Sequence, residues 1–231
     1  MKITLIILVI CIIAVPVAML CFRKFHKKDC SATMKLDVKL PGKAVIVYYS
    51  QSKVGNTATI AKWIQKQLQC EIIALETVEP YPDSYLQTIK VSYKERKAKT
   101  ERAIKPVAIP DDCDIIFIGS PIWYGTYAAP VATFLKQNPC AGKTLVPFST
   151  HGGGGAPRFA DDLKAACPDA KVLDGFTARG SNQIERRLNV GVTSYHTEDD
   201  VIRWLNGLFG SPDGTVAKPG SAVPENYSHG E

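Results

Sequence analysis

The chain has 231 residues, of which 45% are hydrophobic and 22% are charged, and its formal net charge is +6. This composition is ordinary for a folded protein and excludes a largely disordered or fibrous chain. The positive excess lies almost wholly in residues 1–42, which hold seven basic and two acidic residues, so residues 43–231 have a net charge of only +1. A nearly neutral folded part argues against nucleic acid as a partner.

The chain begins with an apolar segment. Residues 3–22 contain no charged residue, and about 20 apolar residues suffice to cross a bilayer as a helix. We expect a membrane anchor over residues 1–22 and a basic linker over residues 23–42. One lysine precedes the segment, whereas Arg23, Lys24, Lys27 and Lys28 follow it. The positive-inside rule then predicts a single-pass transmembrane helix with a cytoplasmic domain. Export by a cleaved signal peptide and a lipid anchor at Cys21 stay open as alternatives.

From Pro41-Gly42 onward, segments with the hydrophobic pattern of strands alternate with segments that have the pattern of helices. The pattern predicts strands at 43–49, 71–75, 114–119, 144–149 and 171–176. It predicts helices at 57–69, 84–102, 130–137, 159–167 and 198–209. Such alternation is typical of an α/β fold, here a three-layer α/β/α sandwich with a five-stranded parallel sheet. We expect one domain over residues 43–210 and a disordered tail over residues 211–231.

A loop rich in small and polar residues joins the first predicted strand to the first helix. Its sequence is Ser52-Lys53-Val54-Gly55-Asn56-Thr57. Backbone N–H groups and the partial positive charge at a helix N-terminus attract phosphate. This first loop therefore predicts a site for the phosphate of a cofactor. The alternative is plain capping of the helix by Asn56 or Thr57.

Two more loops follow strands whose carboxyl ends meet at the same edge of the sheet, where ligands of such folds bind. In Ser120-Pro121-Ile122-Trp123-Tyr124-Gly125-Thr126, the adjacent aromatic residues favour a flat ligand face or packing in the core. Gly125 permits a positive φ, and a peptide flip there would change a hydrogen bond to a redox ligand. The other loop is Thr150-His151-Gly152-Gly153. Its glycines permit close approach of a ligand ring, or the segment is merely a flexible loop. For His151 we favour a structural role.

Other classes of site lack an essential residue. Gly142-Lys143-Thr144 resembles the end of an NTPase phosphate loop, but residue 137 is Gln where that motif needs Gly. His151-Gly152-Gly153 resembles an esterase oxyanion loop, but the sequence has no Gly-x-Ser-x-Gly nucleophile motif. The seven cysteines have no metal-ligand spacing, so we assign no metal ligand and no catalytic residue.

In combination, the three loops resemble those of the flavodoxin family over roughly residues 43–210. The resemblance implies a flavodoxin-like fold with bound FMN. It implies that the FMN phosphate is held by the first loop, namely Ser52, Lys53, Val54, Gly55, Asn56 and Thr57. It implies that the isoalloxazine ring is flanked by Pro121, Ile122, Trp123, Tyr124, Gly125, Thr150, His151, Gly152 and Gly153. Val54 stands where the family carries a hydroxyl residue, which removes one phosphate hydrogen bond, and Lys53 offers charge instead.

The resemblance also implies a function. We expect an FMN protein that transfers electrons at the membrane to a redox partner protein or a quinone-like acceptor. The alternative is an NAD(P)H-dependent FMN oxidoreductase that reduces quinone-type acceptors, since carrier flavodoxins are strongly acidic and this domain is not. Residues 182–196, with Arg186 and Arg187, form a flavin cap, a nicotinamide phosphate site or a solvated loop. A binding module that has lost flavin is a third alternative, and it rests on Val54.

Overall fold

The computed structural model describes residues 34–52, 54–98, 100–180 and 191–210. All of them belong to the second of the two units into which the chain divides, Met34–Glu231. The elements in chain order are β1 (Ala44–Tyr48), α1 (Asn56–Leu68), β2 (Glu71–Ala74), α2 (Tyr85–Ala98), β3 (Ile115–Trp123), β4 (Thr126–Tyr127), α3 (Ala129–Gln137), β5 (Thr144–His151), α4 (Phe159–Ala166), β6 (Lys171–Val172), β7 (Phe176–Arg179), a 3-10 helix (Val192–Ser194) and α5 (Glu198–Phe209).

The strands form one sheet. Its central order is β2-β1-β3-β5-β6, and all of these neighbours are parallel. β7 also pairs in parallel with β5, and β4 pairs antiparallel with the end of β3. The α/β fold with a parallel sheet is therefore confirmed. The expected number of five strands is wrong, because the sheet has seven strands within the described residues.

A proline explains why the predicted strand 171–176 is divided into β6 and β7. The carbonyls of Leu145 and His151 in β5 accept hydrogen bonds from the N–H groups of Leu173 (2.9 Å) and Gly180 (2.8 Å). Alternate residues of a strand face the same neighbour, so Pro147 also faces β6 and β7. Proline has no N–H to donate, so the ladder is interrupted there.

Helices cover both faces of the sheet. The strand residues alternate between the faces, with Val45 and Val47 on one side and Ala44 and Ile46 on the other. Each fully buried aliphatic side chain contributes about 1.5–3 kcal/mol to stability. The core on the first face includes side chains of α2, α3 and α4, and the core on the second face includes those of α1 and α5. The last helix, α5, packs against the sheet through its buried residues Val201, Ile202, Trp204 and Leu205.

The described end of the predicted linker lies along α5. The N–H of Asp37 donates to Asn206 Oδ1 over 2.9 Å, and Val38 forms an antiparallel bridge with Gly210. In the described ranges, from residue 34 to residue 210 with their gaps, the structure contains no helix that is long and apolar enough to cross a membrane. The predicted anchor and the predicted tail both lie outside the described residues.

Candidate functional site

A cleft of about 700 Å³, open to solvent, lies at the carboxyl ends of β1, β3 and β5. These strands are neighbours in the sheet, so the loops that follow them meet there. We call this space the main cleft. Its lining residues are Gln51, Ser52, Asn56, Tyr85, Ile89, Pro121, Ile122, Trp123, Tyr124, Thr150, His151, Gly152 and Gly180. All three predicted loops therefore contribute to a single site.

The first loop turns tightly into α1. The N–H of Gly55 donates to the carbonyl of Ser52 over 2.8 Å, and the N–H of Asn56 donates to Ser52 Oγ over 3.3 Å. Gly55 is the N-cap of α1, with φ +63°, so the expectation that Asn56 or Thr57 caps this helix is wrong. A glycine cap has no side chain to occupy the helix N-terminus, which leaves backbone donors available to a ligand.

The first two side chains of α1 tie the first loop to the rest of the site. Thr57 Oγ1 lies 2.9 Å from Thr150 Oγ1 at the end of β5, and both threonines are buried. Asn56 Oδ1 accepts a hydrogen bond from the N–H of Val192 over 2.8 Å. Gly180 packs closely here, because a Cβ on it would lie 2.7 Å from Asn56 Nδ2. These contacts fix the position of the helix N-terminus beside the cleft.

A buried hydroxyl adjoins the first loop. Ser50 Oγ, at the carboxyl end of β1, has no hydrogen-bond partner among the described residues. A buried polar atom without a partner costs free energy, about 1–3 kcal/mol. Ser50 was not among the predicted site residues, although a serine immediately after a buried predicted strand was a signal for it.

The second loop is largely a β-hairpin. β3 continues to Trp123, and β4 pairs back on it with Ile122 opposite Tyr127. The two residues of the turn have positive φ, +54° at Tyr124 and +85° at Gly125, which is the signature of a type I′ turn. The positive φ expected for Gly125 is confirmed, whereas that of Tyr124 was not foreseen, because residues other than glycine seldom adopt it.

Three hydrogen bonds hold Tyr124 in this conformation. Its hydroxyl donates to the carbonyl of Ile89 over 2.8 Å. Its carbonyl accepts from Arg96 over 2.9 Å and from Arg158 over 3.1 Å. The carbonyl of Gly125 is also engaged, since it accepts from the N–H of Arg158 over 3.1 Å. A peptide flip between residues 124 and 125 would break the two guanidinium contacts.

Trp123 forms one wall of the main cleft and is supported from behind by two tyrosines. Its ring contacts Tyr49 and Tyr81 edge-on, with centroids 6.0 Å and 5.0 Å away. Burial raises the pKa of both tyrosines well above its ordinary value, so both phenols are neutral at physiological pH. Glu95 accepts a hydrogen bond from the Tyr81 hydroxyl and forms a salt bridge with Arg102 over 2.8 Å. The Trp123 wall is thus supported by two buried aromatic rings.

His151 lies at the end of β5 and lines the cleft. Burial lowers its pKa, and the nearby His196 and Arg179 lower it further, so the ring is neutral at pH 7. Its Nδ1 accepts the N–H of Gly153 over 3.0 Å, which is the structural role that the sequence favours. The neutral ring therefore carries its proton on Nε2.

The structure brings most, but not all, of the predicted site residues together. Five of them do not line the main cleft: Val54, Gly55, Thr57, Gly125 and Gly153. Val54 lies instead toward Gly191, where an added Cβ would be 3.7 Å from its own Cβ. Lys53, Arg186 and Arg187 lie outside the described residues. Four lining residues were not predicted, namely Gln51, Tyr85, Ile89 and Gly180. Gln51 immediately precedes the first loop, Tyr85 and Ile89 are brought there by the packing of α2, and Gly180 follows β7.

Known proteins share this fold and sequence pattern. A family model described as flavodoxin matches residues 43–190. A comparison with curated proteins finds no match. The crystal structure of a flavoprotein from Bacteroides eggerthii is 25% identical, with a TM-score of 0.57, and the match covers 72% of this chain and 98% of that one.

Two further solved structures are similar. A flavoprotein from Lactobacillus acidophilus, in complex with FMN, is 25% identical with a TM-score of 0.53, and the match covers 60% of this chain and 93% of that one. A flavoprotein from Bacteroides uniformis is 22% identical with a TM-score of 0.53, covering 64% of this chain and 96% of that one. The family model matches more than half of the chain, so this chain belongs to the flavodoxin family.

Proposed function

We propose that the domain binds FMN in the main cleft and transfers electrons. The observation that carries the proposal is the convergence of three loops, after β1, β3 and β5, in one cleft. Membership of the flavodoxin family supports it. So does the similar protein from Lactobacillus acidophilus, which was solved in complex with FMN.

The end of the cleft formed by the first loop fits a phosphate. The N-terminus of α1 has a glycine cap. Ser50 lies just before the first loop, and its buried Oγ has no hydrogen-bond partner within the described part of the chain. A phosphate accepts several hydrogen bonds and is favoured by the helix dipole. Ser50, Ser52 and Asn56 are therefore the residues that would hold it. A contribution from Lys53 stays a prediction.

The other end fits a flat ring. Ile122, Trp123 and Tyr124 present apolar and aromatic surface, and Gly152 has no side chain to obstruct a ligand. When bound, FMN supplies an isoalloxazine ring that accepts and releases one or two electrons. The chain's own residues orient that ring and exclude water from it. His151 lines the same space with a neutral imidazole whose Nε2–H is a hydrogen-bond donor.

Two finer functions are compatible with this site. The first is electron transfer to a membrane redox partner protein or a quinone-like acceptor. The second is an NAD(P)H-dependent oxidoreductase that reduces quinone-type acceptors. The net charge of +1 over residues 43–231 favours the second, because a nearly neutral domain gives little electrostatic steering toward a charged carrier partner.

We further propose that residues 3–22 attach the domain to a membrane on the cytoplasmic side. The length and apolarity of the segment and the basic residues that follow it support this proposal. Carbonate extraction of membranes, followed by protease treatment of sealed inverted vesicles, whose cytoplasmic face is outward, tests it. A chain released by carbonate, or a domain protected from protease in the inverted vesicles, would contradict it.

The cofactor is tested with the full-length chain purified in mild detergent. We expect a flavin absorption spectrum, and we expect chromatography of the released chromophore to identify FMN. If the purified chain is colourless and does not quench flavin fluorescence when FMN is added, the proposed function is wrong. Steady-state oxidation of NADH with a quinone then separates the enzyme from the carrier, since a carrier gives no rate above that of free FMN.

A further inference from the structure

Two arginines from different parts of the fold meet at the tip of the hairpin. Arg96 belongs to α2, and Arg158 immediately precedes α4. Their guanidinium groups lie 2.9 Å and 3.1 Å from the same atom, the carbonyl oxygen of Tyr124. Arg96 also lies over the ring of Tyr124, with its Cζ 5.5 Å from the ring centroid. We call Arg96 and Arg158 the arginine pair.

Neither arginine has a carboxylate partner in the part of the chain that the structure describes. Both side chains are exposed. A guanidinium has five N–H donors, so a shared contact with one carbonyl leaves most of them available. Two like charges that meet at one atom repel each other, and an anion bound between them would relieve this repulsion.

The helix that carries Arg96 is positive as well. α2 carries four basic residues, Lys90, Lys94, Arg96 and Lys97, against the single acidic residue Glu95. Glu95 is already paired with Arg102 in the interior. The domain as a whole is nearly neutral, so this helix concentrates positive charge beside the hairpin tip. Such a patch raises the local concentration of anionic ligands.

A second cleft, of about 720 Å³, lies on the other side of the hairpin between α2 and α3. Its walls include Arg96, Tyr127 and Ala132, and it shares Trp123 and Tyr124 with the main cleft. The hairpin tip therefore separates two clefts that both have aromatic walls. The arginine pair is located at the boundary between them, because both guanidinium groups contact Tyr124.

We propose that the arginine pair binds the pyrophosphate of a nicotinamide dinucleotide that straddles the hairpin tip. A dinucleotide has two flat ring systems joined by a dianionic pyrophosphate, which matches two aromatic clefts joined by two guanidinium groups. The nicotinamide end enters the main cleft, and the adenine end enters the second cleft. The inference rests on the proposed function, since it assigns the reductant to a cleft that holds FMN.

The test measures binding to the full-length chain loaded with FMN. Isothermal titration uses NAD⁺, NADP⁺ and inorganic phosphate as probes, since these oxidised dinucleotides do not reduce flavin. We expect Arg96→Gln and Arg158→Gln each to weaken dinucleotide binding by about tenfold or more, because each removes a charge-assisted contact. The matched control is Lys94→Gln, an exposed residue of α2, for which we expect a change within about twofold. An equal loss of dinucleotide affinity in all three variants, or no loss of affinity in either arginine variant, overturns the proposal.

The second cleft is tested without altering the arginine pair. Ala132→Phe adds a ring to its wall. It should weaken the binding of both dinucleotides while leaving the affinity for inorganic phosphate unchanged. This variant tests whether the dinucleotide occupies the second cleft, even if the arginine variants fail to fold. Phosphate that binds as tightly as NAD⁺ would show that the rings contribute nothing, and would overturn the straddling mode. A chain that binds FMN but no dinucleotide refutes this inference alone, whereas a chain that binds no FMN refutes the proposed function.

Discussion

The first loop and the hairpin tip form opposite parts of the main cleft, and they are held in different ways. In the first loop, Gly55 and Asn56 both donate backbone N–H groups to Ser52, three and four residues earlier. At the hairpin tip, the partners of Tyr124 are Arg96 and Arg158, which are 28 and 34 residues away in the chain. The turn of the first loop is thus held by local contacts, whereas the hairpin tip depends on how distant elements pack.

The largest effect is expected where the first loop depends on its long-range contact with β5. Thr57→Val removes the hydroxyl that pairs with Thr150 and leaves the latter buried without that partner. We expect a loss of about 1–3 kcal/mol in the free energy of unfolding. We also expect weaker FMN binding, because the helix N-terminus is no longer fixed to β5. Urea unfolding and flavin fluorescence measure the two quantities.

A double-mutant cycle provides the control for this prediction. Val at both positions 57 and 150 removes both hydroxyls, so the double variant should lose less stability than the sum of the single losses. Thr59→Val tests a threonine two residues further along α1, whose hydroxyl donates to the carbonyl of Gly55, which also accepts a backbone N–H. Additive losses at 57 and 150 would show that the two hydroxyls do not depend on each other.

A smaller effect is expected from the backbone of the first loop. Gly55 has φ +63°, and a Cβ there would meet nothing closer than Ala58 Cβ at 3.6 Å, so Gly55→Ala is opposed by the backbone conformation and not by a clash. We expect this substitution to lower the free energy of unfolding by about 1–2 kcal/mol. Gly142→Ala is the matched control, because Gly142 has φ +73° in open space before β5.

The pair of glycine variants separates stability from ligand binding. Both should be destabilised by a similar amount in urea unfolding, but only Gly55→Ala should weaken FMN binding, since residue 142 precedes β5 and the cleft lies at the other end of that strand. If Gly142→Ala lowers FMN affinity as much as Gly55→Ala does, the loss follows from stability and not from the shape of the first loop.

The same contrast explains which features the sequence predicts. The alternation of strands and helices is a local pattern, and the five predicted helices and the first four predicted strands are found in the expected order, whereas β4 and the separation of β6 from β7 were not predicted. The turn residue Gly125 carries its own signal for positive φ, and the structure confirms it. Local signals therefore predict most of the fold and the backbone conformation of Gly125.

The features that the sequence does not predict depend on contacts between distant residues. No local preference places Tyr124 at positive φ, since the arginine pair and Ile89 hold it there. The division of the last strand follows from Pro147, whose missing donor matters only because β5 pairs with β6 and β7 on the side that Pro147 faces. Gly180 enters the site only because β7 ends beside Asn56.

The smallest effect is expected from the hydroxyl that anchors the hairpin tip. Tyr124→Phe keeps the ring but removes the bond to the carbonyl of Ile89, which still accepts a hydrogen bond from Ser92 Oγ over 3.1 Å. Because no buried acceptor loses its last partner, we expect a loss of only about 0.5–1 kcal/mol. FMN affinity should change little, since the arginine pair still holds the turn. Tyr93→Phe, which alters an exposed neighbouring ring, is the control in the same urea unfolding assay. A loss as large as that of Thr57→Val would mean that one side-chain bond, and not the two arginines, determines the shape of the hairpin.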